Sequence, residues 1–558
     1  MSRTICFCAG LGNALAAALL LTLSGCGGGD DAGEAPASTY RFDADTVKTA
    51  AGTVAANEDS TAALRIFRAI PYAAPPIGPL RWQPPQPPRS WTGVRKTTGF
   101  SAACMQNQGS VLTSIIYTSS PSISENCLYL NVWTPATGSA EKRPVMVLIF
   151  AGNTSGTASN PTLDGAGLAR KGVVVVSFNY RVGVLGWLAH PELSAESANK
   201  VSGNYLLLDQ IAALKWVQAN VGEFGGDPAN VTVFAQSDGA KSANLLMASP
   251  LARGLFHRAV LESGGTFPGF RGDARTLAQA EQAGVTFAAT AKAADLAALR
   301  AMSATDLQAL SNTYAATEIV DGYVLPDQID RIFRAGQAAD IPVITGFNSD
   351  DVFPPGFATT LSAFTTQVQA AFGTSASEIQ SFYKVSDDAS AAAVRLALPL
   401  DFQLAWQPTV LARTMAAKYR SKSYLYLFNR VPPYYPDQVN YTEASDPATL
   451  GAFHTAEQVY LYNNLATWPR PYTAADLRLS DVASTYLVNF ATSGDPNSPV
   501  SVTAAGNAVP TWPPHALAGG QLMLLGEVIA PGVAPNQAAL DLFDRVYAQK
   551  LGRPLAFQ

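Results

Sequence analysis

Residues 235–239 read Ala-Gln-Ser-Asp-Gly and set a serine hydroxyl between two small residues. Val231, Thr232, Val233 and Phe234 precede them and read as a buried strand, while residues 240–247 have the composition of a helix. Strand, sharp turn and helix with Ser237 at the apex is the context of a G-x-S-x-G nucleophile elbow, with Ala235 in place of the first glycine. Small residues are needed there because neighbouring backbone passes close, and alanine is the least damaging replacement. A serine hydroxyl is a weak nucleophile. To attack an acyl carbonyl it must give its proton to a positioned base, and the base needs an acid to hold its tautomer. The chain has four histidines, His190, His257, His454 and His515, so the choice of base is narrow.

The elements that must position these groups alternate along the chain. Short apolar runs at 145–150, 173–178, 231–234, 259–262, 341–345 and 424–428 read as strands, separated by long helical or irregular tracts. Residues 204–221 are expected to form an amphipathic helix. Strands alternating with helices imply an α/β architecture with a mostly parallel central sheet flanked by helices. The sequence contains no internal repeat. No Pro/Gly linker splits the chain after about residue 40, so residues 46–558 are expected to form a single large domain.

Composition excludes several classes of function. With 48% hydrophobic and 14% charged residues among 558, a large core is available and global disorder is excluded. A net charge of -5, with no basic run, argues against nucleic acid as a partner. Arg3 followed by a mostly apolar run and Leu23-Ser24-Gly25-Cys26 reads as an export signal over 1–25 of the bacterial lipoprotein type, with Cys26 as the lipidated residue. The polar, glycine-rich stretch after it makes 26–45 a flexible tether, so the chain is expected to be exported and lipid-anchored to the cell envelope, in the periplasm or at the cell surface. Of five cysteines, Cys6 and Cys8 leave with the signal and Cys26 takes lipid. Cys104 and Cys127 remain, and in an oxidising setting they are expected to form a disulfide. No metal cluster can be assembled from this inventory, and no cofactor is expected.

Ordered motifs across the chain carry a resemblance. They include Phe67-Arg68-Ala69-Ile70-Pro71-Tyr72, Leu80-Arg81-Trp82, Ser124-Glu125-Asn126-Cys127-Leu128-Tyr129-Leu130-Asn131-Val132-Trp133 and Asn179-Tyr180-Arg181. Further on come Gly203-Asn204-Tyr205 with Leu208-Asp209-Gln210, Phe224-Gly225-Gly226-Asp227-Pro228, Gly494-Asp495-Pro496-Asn497 and Trp512-Pro513. This pattern resembles the type-B carboxylesterases, the cholinesterase-like α/β-hydrolases. The resemblance implies an α/β-hydrolase fold, a Cys104–Cys127 loop and a catalytic Ser237. It also implies that His454, in Gly451-Ala452-Phe453-His454-Thr455-Ala456-Glu457, is the base, leaving His257 structural. The acid lies between serine and histidine in chain order. Gly346-Phe347-Asn348-Ser349-Asp350-Asp351 resembles the family's G-x-N-x-D-E and puts Asp351 on the catalytic position, with Asp350 as its competitor.

The departures from the family pattern lie at the oxyanion hole. Where His-Gly-Gly-Gly is usual the chain has Phe150-Ala151-Gly152-Asn153, and the expected backbone donors are Gly152, Asn153 and Asp238. Asp238 stands where alanine is usual. A carboxylate about 5 Å from a developing oxyanion opposes it by roughly 3 kcal/mol at an effective dielectric near 20. Lys241 follows three residues on, placed to neutralise it, and Gln236 replaces the usual glutamate. The leading expectation is a serine hydrolase that cleaves small-molecule carboxylic esters through a Ser-His-Asp triad and an acyl-enzyme, with an atypical oxyanion hole. The alternatives are a non-catalytic cell-surface binding protein on the same fold, as in neuroligin-like relatives, or an amidase or lactonase using the same triad. Nothing in the sequence supports a site for choline-like cations. Uncharged alkyl or aryl esters are the default substrates, with Phe267, Phe347 and Phe353 as possible pocket liners.

Overall fold

Runs of apolar and β-branched residues form one sheet of ten strands. In chain order these are β1 (Arg65–Pro71), β2 (Tyr129–Thr134), β3 (Arg143–Ile149), β4 (Val174–Phe178), β5 (Gly226–Gln236), β6 (Arg258–Glu262), β7 (Val343–Asn348), β8 (Ser423–Phe428), β9 (Gln521–Leu525) and β10 (Ile529–Val533). The computed structural model describes residue 41 and residues 44–558 apart from 98, 108–121, 153, 270–271, 352–355, 434–449 and 518–519. The expected signal, Cys26 and nearly all of the tether, along with Asn153 and Phe353, lie outside the described residues.

The spatial order of the strands is β10-β9-β8-β7-β6-β5-β3-β4-β2-β1. From β4 to β9 every neighbouring pair is parallel, and the antiparallel pairs are confined to the two edges. A parallel sheet covered on both faces needs strands apolar throughout rather than alternating. The sequence meets that need: all five residues of β4, all six of β7 and all six of β8 are buried. The covering helices include α1 (Tyr205–Asn220), α2 (Asp238–Ala248), α3 (Trp406–Lys418) and α4 (Ala474–Ser493). Of these, α2 packs on β5 and β6, α4 on β3 and β5, and α3 on β7 and β8. Eleven of the sixteen residues of α1 are buried. The other five, Leu208, Ala212, Lys215, Gln218 and Ala219, recur at three- and four-residue spacing along one side, which leaves the narrow outward face of the expected amphipathic helix.

The family motifs prove to be pairs that tie distant segments together. Arg181 donates to both carboxylate oxygens of Asp209 at 2.8 and 2.7 Å, and Arg81 likewise holds Glu125 at 2.7 and 2.6 Å. Trp512 N–H donates to Asn497 Oδ1 at 2.6 Å, while Asn497 Nδ2 returns a bond to the Trp512 carbonyl at 3.0 Å. Cys104 and Cys127 form a disulfide. Buried charges persist only when paired and hydrogen-bonded, and removing one partner of such a pair costs about 3–5 kcal/mol.

Strand register brings the chemistry together. In β5, Ala235 lies beside Ile149 of β3 and Leu261 of β6, and Gln236 lies beside Glu262. Glu262 in turn lies beside Gly346 of β7. The carboxyl ends of β5, β6 and β7 therefore finish in line, which is where open parallel sheets place their ligand sites.

Candidate active site

Ser237 takes φ 56° and ψ -125°, a conformation that side-chain-bearing residues rarely adopt, and it sits between the end of β5 and the start of α2. Such backbone strain costs about 1–3 kcal/mol and persists only where surrounding contacts enforce it. Here the Ser237 N–H donates to the Glu262 carbonyl at 2.8 Å, and the Ser237 carbonyl accepts from Lys241 N–H at 2.9 Å. Gly239 lets α2 come down onto β3: a Cβ there would lie 2.4 Å from the Ile149 carbonyl oxygen and 2.6 Å from that of Phe150. Ala235 is fully buried, with its methyl accommodated in the core, so the alanine departure is compatible with the turn.

Asp238 is the first residue of α2, so its backbone N–H has no intrahelical acceptor and belongs to the helix's anion-binding end. The segment facing it is pinned from two sides. The Tyr180 hydroxyl donates to the Phe150 carbonyl at 2.6 Å, and the two rings stack at 4.1 Å. Gln106 accepts from Gly156 N–H at 2.6 Å and donates to the Gly156 carbonyl at 2.8 Å. Gly152, between these anchors, takes φ 103°, open to glycine and closed to most residues. Gln106 lies two residues after Cys104, so the disulfide loop helps hold this segment. Its part was not legible in sequence, where a lone glutamine beside a cysteine carries no signal.

His454 and Asp351 are brought together. The His454 Nδ1 lies 2.5 Å from Asp351 Oδ1, and the other carboxylate oxygen accepts from Asn348 N–H at 3.0 Å. A carboxylate only accepts, so Nδ1 carries the ring proton and Nε2 the lone pair. Both side chains are buried. The neighbouring Asp350 does different work. It accepts from Ala452 N–H at 2.9 Å and from the Ser349 hydroxyl at 2.7 Å, and residues Asp350 and Phe453 pair as an isolated parallel bridge. Asp350 thus clamps the segment that delivers His454.

Gln236 packs against the imidazole. Its Nε2 lies 3.2 Å from His454 Nε2 and 3.5 Å from Nδ1. A donor aligned with one ring lone pair would be far from the other nitrogen, so near-equal distances put the amide over the ring face. No hydrogen bond joins the Ser237 hydroxyl to His454 among the described residues; such pairs often tighten only when substrate is bound.

Below this layer lies a group of acids that sequence reading missed. Glu457 accepts from Asn348 Nδ2 and from the Ser263 hydroxyl, the latter at 3.5 Å. Glu262 accepts from the Tyr462 hydroxyl at 2.9 Å. Both carboxyls are completely buried. Burial, and then the Asp351 charge, pushes Glu457 up to about 7. Burial, and then Glu457, pushes Glu262 well above the ordinary carboxylate range. For His454, burial alone pulls the pKa down, but the Asp351 charge and hydrogen bond reverse this, with help from Glu457 and Asp238. Its pKa ends above the ordinary imidazole value. The other histidines sit in the scaffold: His190 caps the helix Pro191–Glu196, His257 accepts from Val231 N–H at 3.1 Å, and His515 lies against the Gln521 carbonyl.

A cavity of about 180 Å³ opens beside Ser237, with Asp238, Lys241, Ser263, Phe267 and Glu318 on its wall. The expected neutralisation of Asp238 by Lys241 is corrected: Lys241 Nζ pairs with Glu318 at 2.6 Å instead, because its side chain reaches across to the segment before residue 319. Of the expected aromatic liners Phe267 does line the cavity, whereas Phe347 is buried within β7.

A model of the family described as the Carboxylesterase family matches residues 43–530. The chain is 35% identical over 501 residues to fumonisin B1 esterase of Sphingopyxis macrogoltabida, a match covering 85% of this chain and 86% of that protein. It is 29% identical over 497 residues to carboxylesterase 1C of Rattus norvegicus, covering 84% and 86%. It is also 31% identical over 506 residues to neuroligin-3 of Mus musculus, covering 78% of this chain and 59% of that protein.

Proposed function

The chain belongs to the carboxylesterase family and is a carboxylic-ester hydrolase; from that premise we propose that Ser237 is its nucleophile, His454 its general base and Asp351 the acid that orients the base. The observation that carries this reading is the 2.5 Å contact between His454 Nδ1 and Asp351, with the ring packed on Gln236, the residue before the strained Ser237 at the strand-to-helix turn. In the proposed cycle His454 Nε2 takes the Ser237 proton as Oγ bonds to the ester carbonyl carbon. The carbonyl oxygen becomes an oxyanion, held by backbone N–H groups of Gly152, Asn153 and Asp238. Collapse expels the alkoxide, which takes the proton from His454. Water then repeats the sequence on the acyl-enzyme and releases the acid. Each backbone donor of this kind is worth about 10²–10³ in rate.

The Asp238 carboxylate has two opposed effects in this scheme. It opposes the oxyanion, but it also favours the imidazolium that forms in the same step, and it already contributes to raising the His454 pKa. A charge near a newly formed ion pair acts on the difference between the two distances, so the penalty is smaller than the oxyanion term taken alone.

Hydrolysis of nitrophenyl esters from acetyl to dodecanoyl, alongside labelling with a fluorophosphonate, tests the proposal. Turnover and labelling are both expected, and both are expected to vanish in Ser237→Ala. Turnover that survives in the variant, or a folded wild type that neither turns over nor labels, would sink the assignment.

A further inference from the structure

The cavity beside Ser237 carries charged side chains, whereas the default substrates expected from sequence are uncharged esters. Among the described residues that line it, Asp238 and Glu318 contribute two carboxylates and Lys241 one ammonium. The three groups are unequal in what they leave open. Glu318 is engaged through one oxygen: Lys241 Nζ lies 2.6 Å from its Oε2, and the Thr317 hydroxyl donates to the same atom at 2.6 Å. Lys241 is committed to that pair and is itself buried. Asp238 has neither an ion pair nor a side-chain hydrogen bond among the described residues, although it lines the cavity next to the nucleophile. It stands at the head of α2, where the helix's backbone dipoles favour a negative group.

A second polar group points to a ligand. Gln403 also lines the cavity and has no side-chain partner among the described residues. It stands on the π-helical turn Leu400–Ala405, a distortion that tends to occur at functional sites. The turn is held from behind, where Asp401 accepts from the Tyr383 hydroxyl and from Asn536 Nδ2, both at 2.5 Å. A fixed wall thus presents one unpaired carboxylate and one unpaired amide to whatever occupies the space. Half-buried polar groups that the protein leaves unsatisfied lose free energy unless water or a ligand satisfies them, and a ligand that supplies the missing donors is preferred over one that does not.

We infer that this cavity selects esters carrying a protonated amine, with the Asp238 carboxylate as the specificity-determining group that accepts it and the Gln403 amide as a supporting acceptor. The inference rests on the esterase reading above. It differs from an aromatic cation site in that the recognising group is a carboxylate on the residue next to the nucleophile.

The test uses the whole domain and three nitrophenyl esters of matched acyl length: 6-aminohexanoate, heptanoate and hydrogen adipate, which carry a cation, no charge and an anion. Heptyl acetate and 6-aminohexyl acetate place the same contrast on the alcohol limb. On one limb the cationic ester is expected to exceed its neutral match in kcat/KM by about tenfold, mostly through KM, and hydrogen adipate to fall below heptanoate. Asp238→Asn is expected to bring the cationic-to-neutral ratio to about one. Should that variant not fold, inhibition of wild-type heptanoate hydrolysis by hexylammonium, compared with hexanoate, reads the same preference. Hydrolysis of the neutral esters with no cation preference on either limb overturns this inference while leaving the esterase reading intact, and so does a preference unchanged in Asp238→Asn. A preference for adipate would assign the cavity to Lys241 and overturn it as well. Hydrolysis of none of the esters would remove both readings.

Discussion

The two sides of the elbow are finished to different degrees. Behind His454 the two carboxylates nearest the ring are held by internal bonds: Asp351 holds the ring and accepts from Asn348, while Glu457 takes bonds from Asn348 and Ser263. In the same layer, however, Gln236 Oε1, Asn348 Oδ1 and Glu262 Oε1 have no partner among the described residues. In front of Ser237, Asp238 and Gln403 line a cavity with no side-chain partner among the described residues. The difference follows from what each side must do. The same proton transfer recurs with every ester, so its geometry can be fixed by internal bonds. Recognition depends on a group that arrives with the substrate, and the donors it brings cannot be supplied in advance.

The largest break in this comparison comes from the pair of adjacent aspartates. Asp351→Asn keeps the shape but presents a donor to Nδ1, turning the ring to the wrong tautomer. A loss in kcat on the order of 10³–10⁴ is expected for nitrophenyl acetate. Asp350→Ala removes the clamp on Ala452 and Ser349 while leaving the His454–Asp351 contact available. It is expected to cost about tenfold in kcat and about 1–3 kcal/mol in stability to denaturant. Equal losses in the two variants, or a larger one at Asp350, would reverse the roles of the two acids.

That contrast also marks how much could be read from sequence. The parallel α/β architecture was legible because strands buried on both faces must be apolar runs, and β4 and β8 are such runs. The ordered motifs were legible because pairs such as Arg181 with Asp209 and Arg81 with Glu125 need particular residue types to satisfy buried groups. What stayed hidden depends on where a side chain turns. Asp238 and Lys241 sit one helical turn apart, yet Lys241 pairs with Glu318, seventy-seven residues away in sequence, and no local spacing reports that. Glu457 lay in plain view three residues after His454, but its depth, and hence its altered proton affinity, came only from the packing.

The finest test of the closed side is a substitution that removes a charge while keeping the size of the side chain. Glu457→Gln retains an oxygen able to accept from Asn348 and removes the carboxylate that, together with Asp351, favours the imidazolium. The direction of the effect is fixed by which form works. The base is neutral imidazole, so activity falls on the acid side as His454 takes up a proton, at a pH above the ordinary imidazole value because Asp351 outweighs burial. An ionised Glu457 adds to that raising effect. Its removal makes the imidazolium less favourable, lowers the His454 pKa and moves the acid limb of kcat/KM to lower pH, leaving the plateau rate close to wild type. The profile for nitrophenyl acetate between pH 5 and 9 reads the shift. An acid limb that stays in place would mean that Glu457 remains protonated throughout and acts only through its hydrogen bonds. A limb that moves to higher pH would contradict the assignment of His454 as the titrating base.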